Sequence, residues 1–146
     1  DASYTTVEVG PLYLEEIAKL RAMRILWRQL LADYGQKDQL KLYATIGQKV
    51  KDASAYHNMI NYSAATLSAA IGGANMIHIP ALESDEMSSN TKSRIPRNIH
   101  HLLQSESHIG KVKDPAAGSY VIEKLTQIIV DQTWASFLSQ IEQPSS

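Results

Sequence analysis

The chain has 146 residues, of which 44% are hydrophobic and 20% charged, and its formal net charge is −1. This composition is typical of one globular domain, and so small a net charge gives no reason to expect nucleic acid or an anionic membrane as partner. The absence of cysteine excludes disulfides, thiolate metal sites and a cysteine nucleophile. It fits a reducing cytoplasm, where we expect the protein to be.

The first third of the chain predicts a strand followed by a long helix. Residues 5–9 form a short β-branched run that stops at Gly10, and Pro11 suits the first turn of a helix. Apolar side chains then recur at three- and four-residue spacing as far as Tyr34. Gly35 is a natural end for this helix, because glycine readily takes the left-handed conformation of a helix cap.

Two further strand and helix pairs are predicted downstream. Residues 40–45 predict a strand and 56–71 a helix, whose apolar side should carry Ile60, Ala64, Leu67 and Ile71. The glycines at 72–73 can end that helix, and residues 76–79 predict a third, nearly all-apolar strand. A polar loop over 84–90 then leads to a helix with Pro96 in its early turns, where the proline should begin or kink it.

The last quarter of the chain predicts a turn at 114–118 and an additional helix after Ser119. The alternation of strands and helices is typical of right-handed βαβ units in an α/β fold with a parallel sheet. A complete (β/α)8 barrel needs about 250 residues, so we expect part of a TIM-type barrel with about three parallel strands. Its open sheet edges predict self-association of the isolated segment.

Histidines and arginines in the second half are the side chains with potential chemistry. His78 ends a predicted strand, where barrel active sites collect, although a hydrogen-bonded core histidine is the commoner reading. His101 and His108, two helical turns apart, offer only a weak case for a metal, so no metal site is predicted. Arg94 and Arg97 are assigned a structural role rather than an anion-binding one.

Three blocks in the second half share one order and spacing with a known family. They are GGANMIH at 72–78, RIPRN at 94–98 and DPAAGSY at 114–120, and the helical run EIAKLRAMRILW at 16–27 precedes them. Together they resemble the barrel of methylmalonyl-CoA mutases, over almost the whole chain. We therefore expect residues 1–146 to be a fragment of that acyl-CoA mutase barrel domain, from its C-terminal part.

The resemblance implies a cofactor and a reaction. Mutases of this family rearrange an acyl-CoA by radical chemistry started from adenosylcobalamin, and the acyl-CoA runs through the middle of the barrel. By family position alone, the cofactor-binding candidates here are Gly47, Asn75 and His78. No catalytic residue is predicted. The family's cobalt-binding motif, D-x-H-x-x-G, does not occur in the chain, so adenosylcobalamin is expected only at the level of a larger complex.

Other family positions have lost their polar side chains. A gapless count from Gly72 places residues 40–47 on the family block R-x-H-x-Q-T-S-G, of which Thr45 and Gly47 survive. Leu42 stands at the histidine and Ala44 at the glutamine, and neither can make the corresponding hydrogen bond. Residues 106–108 and 114–119 also look closer to the family's degenerate small subunits than to its catalytic chains. An acidic pair within 83–86 aligns less certainly.

The leading hypothesis is therefore a structural small subunit that pairs with a catalytic large mutase subunit as a heterodimer, the segment itself being inactive. A first alternative is a catalytic acyl-CoA mutase barrel with a reshaped pocket around His78 and Asn75. A second alternative is a non-enzymatic interaction module unrelated to mutases.

Overall fold

The computed structural model describes residues 3–47, 54–82 and 87–142. Its sheet has three parallel strands in the order β1-β2-β3, with β1 at Ser3–Val9, β2 at Leu40–Ile46 and β3 at Met76–His78. The register aligns Val7 with Ala44 and Ala44 with Ile77. The three predicted strands are confirmed, and their carboxyl ends lie at one edge of the sheet.

Four α-helices accompany these strands, as the spacing of apolar residues predicts. Helix α1 spans Tyr13–Asp33, α2 Ala55–Ile71, α3 Ser89–His101 and α4 Tyr120–Glu142. Each of the three strands is followed by a helix, and α4 is the additional C-terminal helix that packs mainly on α1. The arrangement confirms an α/β fragment of a barrel-like sheet.

The helices cover one face of the sheet, and no element of residues 3–47, 54–82 or 87–142 covers the other. Successive side chains of a strand point to opposite faces, and the buried set faces the helices. The core combines strand residues with side chains from α1, α2 and α3, among them Val9, Leu42, Ala44, Ile46, Leu20, Tyr62, Ala65, Ala69, Ile95 and Ile99. The opposite side, called the open face below, carries Tyr4, Thr6, Glu8, Lys41, Tyr43, Thr45, Met76 and His78.

The buried side of α2 differs from the predicted one. Ile60 is 67% exposed, whereas Tyr62, Thr66 and Ser68 are fully buried. The hydroxyls of Thr66 and Ser68 donate to the backbone carbonyls of Tyr62 and Ala65, at 2.6 and 2.8 Å, so their burial leaves no donor unsatisfied. The buried side of α2 thus carries small and hydroxyl side chains, which the spacing of apolar residues does not mark.

Helix α3 begins at Ser89, so Pro96 lies inside it rather than at its start. A proline at this position removes the hydrogen bond to the carbonyl four residues earlier, that of Lys92. The backbone N–H of Leu82 donates to this carbonyl at 3.3 Å. The segment before α3 is thereby attached to the helix at the acceptor that the proline leaves available.

The chain beyond α3 departs from the helical path assumed for the histidines. A π-helical turn at Leu102–Glu106 follows α3. His108 has a left-handed φ of 51°, so it does not share a helix with His101. In the described part of the chain, no three His, Cys, Asp or Glu side chains are placed to hold a metal ion. The expected acidic pair at 83–86 and the end of the chain at 143–146 lie outside the described residues.

Candidate functional site

The carboxyl edge of the sheet is where the fold brings candidate residues together. Glu8 pairs in register with Thr45, and Thr45 with His78, so one side chain from each strand lies in a row on the open face. Gly47 follows β2 directly, and its N–H donates to the carbonyl of Val9 at 3.1 Å. Two of the three candidates, Gly47 and His78, therefore lie at this edge.

Gly47 is buried beneath the side chain of Glu8. A Cβ atom built on Gly47 would overlap the carboxylate and the Cγ atom of Glu8. The backbone carbonyl of Glu8 accepts from Nζ of Lys19 at 2.8 Å, and the same ammonium group forms an ion pair with Glu16. The absence of a side chain at Gly47 thus leaves room for a carboxylate, and this carboxylate covers the glycine backbone.

His78 is exposed beside a small cleft between β3 and α3. The cleft has a volume of about 300 Å³ and is lined in part by Ser93, Arg97 and His100. Burial lowers the pKa of His100, and the positive charges of His101 and His78 lower it further. His100 therefore tends to stay neutral here, while Arg97 carries a permanent charge.

Asn75 lies at the opposite, amino end of β3. Its Oδ1 atom accepts from the backbone N–H of Leu42 at 3.0 Å and from Nη2 of Arg24 at 3.1 Å. Its own N–H donates to the carbonyl of Leu42 at 2.8 Å. The Asn75 side chain thus extends the hydrogen-bond ladder between β2 and β3, and the fold does not bring it to His78 and Gly47.

The arginines of the RIPRN block are exposed. Within the described ranges, the side chain of neither Arg94 nor Arg97 forms a hydrogen bond or an ion pair. The structural role assigned to them, as caps of neighbouring elements, therefore has no contact in this segment to support it.

Known proteins with similar sequences cover nearly the whole chain. Residues 4–144 match the sequence model of the family described as methylmalonyl-CoA mutase. The chain belongs to this family. The alternative of a module unrelated to mutases is therefore wrong.

Three relatives indicate the range of family members that the chain is similar to. A methylmalonyl-CoA mutase small subunit from Porphyromonas gingivalis is 38% identical over 138 residues, which is 90% of this chain and 22% of the relative. The large subunit from the same organism is 30% identical over 132 residues, 86% of this chain and 18% of the relative. A methylmalonyl-CoA mutase from Cereibacter sphaeroides is 34% identical over 133 residues, 87% and 19%. The chain spans about a fifth of the length of these relatives.

Two contacts that sequence reasoning missed connect the blocks of the family pattern. Arg21 donates to both carboxylate oxygens of Asp114 at 2.7 Å and to Glu123 at 2.8 Å. Arg24 donates to the carbonyl of Gly72 at 3.1 Å and also to that of Gly73. The helical block at 16–27 is therefore connected to two of the other three blocks, at 72–78 and 114–120, through two arginines one turn apart. From the sequence, only the spacing that puts Arg21 and Arg24 on one face of the helix could have indicated these contacts.

Two of the three cofactor candidates, Gly47 and Asn75, are in contact with other side chains or backbone groups of the chain. At the carboxyl edge, the Glu8 side chain lies over Gly47, and the Asn75 oxygen already accepts hydrogen bonds at the far end of β3.

No helix within the described residues is long and apolar enough to cross a membrane.

Proposed function

We propose that this chain is part of the barrel of a structural small subunit in an adenosylcobalamin-dependent methylmalonyl-CoA mutase. In this proposal the subunit pairs with a catalytic large subunit in the cytoplasm, and the complex converts methylmalonyl-CoA to succinyl-CoA. The segment itself supplies no catalytic residue. Adenosylcobalamin and acyl-CoA bind at the level of the complex, to the large subunit.

The side chains of the open face carry the proposal. Helices lie outside a parallel barrel, so the uncovered face of this sheet becomes the barrel interior. Its lower rows hold Tyr4, Lys41, Tyr43 and Met76, and the two tyrosine rings stack with centroids 5.8 Å apart and planes 9° apart. Side chains of this size project into the space through which an acyl-CoA chain would have to pass.

The buried face of β2 corrects one step of the sequence analysis. Leu42 is 0% and Ala44 2% exposed, and both pack against the helices. The gapless count put the family's histidine and glutamine at these positions, but side chains here face the helices and not the barrel interior. These two positions therefore give no evidence of a lost substrate contact. The higher identity to the Porphyromonas gingivalis small subunit, 38% against 30% for the large subunit, favours the small-subunit assignment.

The proposal assigns different roles to the three cofactor candidates. Gly47 and His78 lie at the carboxyl edge, and we propose that they face the interior of the parent barrel without gripping a ligand. Asn75 we assign to the hydrogen bonds between β2 and β3. The isolated segment is expected to self-associate, because β1 and β3 each have an unpaired edge in the described sheet.

Calorimetric titration of the intact protein tests the proposal. Methylmalonyl-CoA and adenosylcobalamin are titrated into the protein alone and then into its mixture with a candidate large subunit. We expect no heat of binding from the protein alone and saturable binding in the mixture. Stoichiometric binding of methylmalonyl-CoA to the protein alone would overturn the structural assignment.

A catalytic barrel with a reshaped pocket is the second candidate. It is favoured by the exposure of His78 at the carboxyl edge, beside Arg97 and His100. If this candidate is right, the intact protein isomerises methylmalonyl-CoA without a partner, and His78→Ala abolishes acyl-CoA binding while leaving the melting temperature unchanged. Arg94→Ala, which removes an exposed arginine from the same helix, is the matched control.

A further inference from the structure

A large cleft lies at the amino ends of β2 and β3, on the side of the helices. Its volume is about 1470 Å³. It is bounded by the carboxyl-terminal parts of α1 and α2, by Leu103 and Gln104 after α3, and by the loop at 109–115. Elements from the beginning, middle and end of the chain therefore form its walls.

The charge of this cleft differs sharply from that of the whole chain. Two acidic residues, Asp38 and Asp114, line it. Six cationic residues are among those that line it: Arg21, Arg24, Arg28, Lys37, Lys41 and Lys113. The side chain of Lys41 belongs to the open face, so five cations remain on the side of the helices. Asp114 forms an ion pair with Arg21, so the other four cations are accompanied by one further lining carboxylate, Asp38. The formal net charge of −1 conceals this local excess.

Helix dipoles offset only part of this excess. The carboxyl ends of α1 and α2 border the cleft, and each contributes at most about half a negative charge. Five cations against two carboxylates exceed that contribution. A cleft of one sign with low-dielectric walls concentrates its field and attracts groups of opposite charge.

Arg24 fixes one of these charges in position. Its guanidinium donates to the carbonyls of Gly72 and Gly73 and to Asn75 Oδ1, all of them neutral acceptors. These contacts use three of the five N–H groups of an arginine. Burial lowers the pKa of Arg24, because the charged form is partly desolvated. A carboxylate placed opposite this group would compensate a charge that the described contacts leave uncompensated.

The position and the walls of the cleft indicate which class of anion, phosphate or carboxylate, it would bind. Phosphate sites typically use the backbone N–H groups at a helix amino end, whereas α1 and α2 present their carboxyl ends here. The walls are also partly apolar, with Ile25, Ile77, Leu103 and Val112 among them. The cleft is larger than the roughly 300 to 1,000 Å³ usual for a small ligand. Carboxylates on a polypeptide fit these features better than a free phosphate.

We propose that this cleft docks an acidic, amphipathic segment of a partner protein. Acidic side chains of the segment pair with Arg24, Arg28 and Lys113, and its apolar side chains contact the wall. The inference does not depend on whether the intact protein binds acyl-CoA.

Fluorescence anisotropy with the intact protein tests this docking. The probe is a labelled helical peptide of about 15 residues, a length at which a helix becomes marginally stable in water, with Glu on one face and Leu on the other. A peptide with Gln in place of Glu is its control. We expect saturable binding of the Glu peptide that weakens as salt is raised, and much weaker binding of the Gln peptide.

Charge reversal in the cleft supplies the decisive comparison. In the double variant Arg28→Glu, Lys113→Glu we expect at least about tenfold weaker binding of the Glu peptide, because both exposed cations face it. Lys124→Glu reverses an exposed lysine of α4 that does not line the cleft, and should leave affinity unchanged. Equal affinities for the double variant and the native protein would overturn the proposal. So would full displacement of the peptide by inorganic pyrophosphate with a tighter affinity, which would make the cleft a phosphate site.

Discussion

Arg21 of α1 and Asp114 of the turn before α4 form a contact between distant parts of the chain. Nη1 of Arg21 lies 2.7 Å from both carboxylate oxygens of Asp114, 93 positions away. Oδ1 of Asp114 also accepts the backbone N–H of Ala116 at 3.1 Å, which shapes the turn before α4. One carboxylate therefore orients the turn and attaches it to α1, and the packing of α4 on α1 depends on both.

Replacing Asp114 by Asn should lower the free energy of unfolding at pH 7 by about 1 kcal/mol, a value reduced by the partial exposure of the carboxylate. The hydrogen bond from Arg21 is the main cause of the lowered pKa of Asp114. A lowered pKa stabilises the native state above the ordinary value of 3.8, and this stabilisation is lost as the pH falls through the lower native value.

Urea unfolding of Asp114→Asn and the native protein at pH 7 and at about pH 3 measures this effect. The difference between the two proteins should shrink at the lower pH. Asp33→Asn is the control, because Asp33 is exposed and its side chain forms no hydrogen bond or ion pair in the described part of the chain. A difference that stays constant with pH would show that the charge of Asp114 does not stabilise the fold.

Asn75→Ala should destabilise the protein by about 1 to 3 kcal/mol, because it leaves the Leu42 N–H and Arg24 without their shared acceptor. Thermal and urea unfolding measure the loss. Asn98→Ala, on the exposed side of α3, should be neutral or slightly stabilising. If Asn75→Ala kept native stability but altered ligand binding in the complex, Asn75 would be a site residue after all.

Most of the fold was predictable because its signals are local. Gly35 and Gly73, with φ of 66° and 82°, follow α1 and α2, where a left-handed glycine was expected. The strands read correctly because a parallel strand covered by helices is rich in apolar and β-branched residues. The buried side of α2 was predicted incorrectly. It carries small residues and hydroxyl groups that donate to the backbone of their own helix, and such residues leave no periodic apolar pattern in the sequence.

Less of the candidate site could be predicted. His78 and Gly47 were located by motif position, and their placement at one edge follows from parallel topology. The contacts of Arg21 and Arg24 span 93 and 48 positions, and nothing in the local sequence specifies such partners. The cationic cleft could not be predicted either. Its charges come from separate segments of the chain, and the net charge of −1 gives no sign of a local positive excess.

Gly47→Ala should destabilise the protein by about 1 to 3 kcal/mol, because the added methyl group overlaps the side chain of Glu8. If that overlap is the cause, Glu8→Ala in the same protein should restore most of the loss. A double-mutant cycle from urea unfolding gives the coupling between the two positions. Purely additive effects of the two substitutions would contradict the contact.

Gly73→Ala should also destabilise the protein, by about 1 kcal/mol or more, for a different reason. Its φ of 82° is strained for alanine, and a Cβ atom would lie 2.8 Å from Nη1 of Arg24. Gly110→Ala is the matched control, since a Cβ there meets no atom within 4 Å and should change stability by less than about 0.5 kcal/mol. Because Arg24 also lines the cationic cleft, Gly73→Ala should weaken binding of the acidic peptide. Unchanged peptide affinity in a destabilised Gly73→Ala protein would separate the role of Arg24 in folding from the role proposed for it in docking.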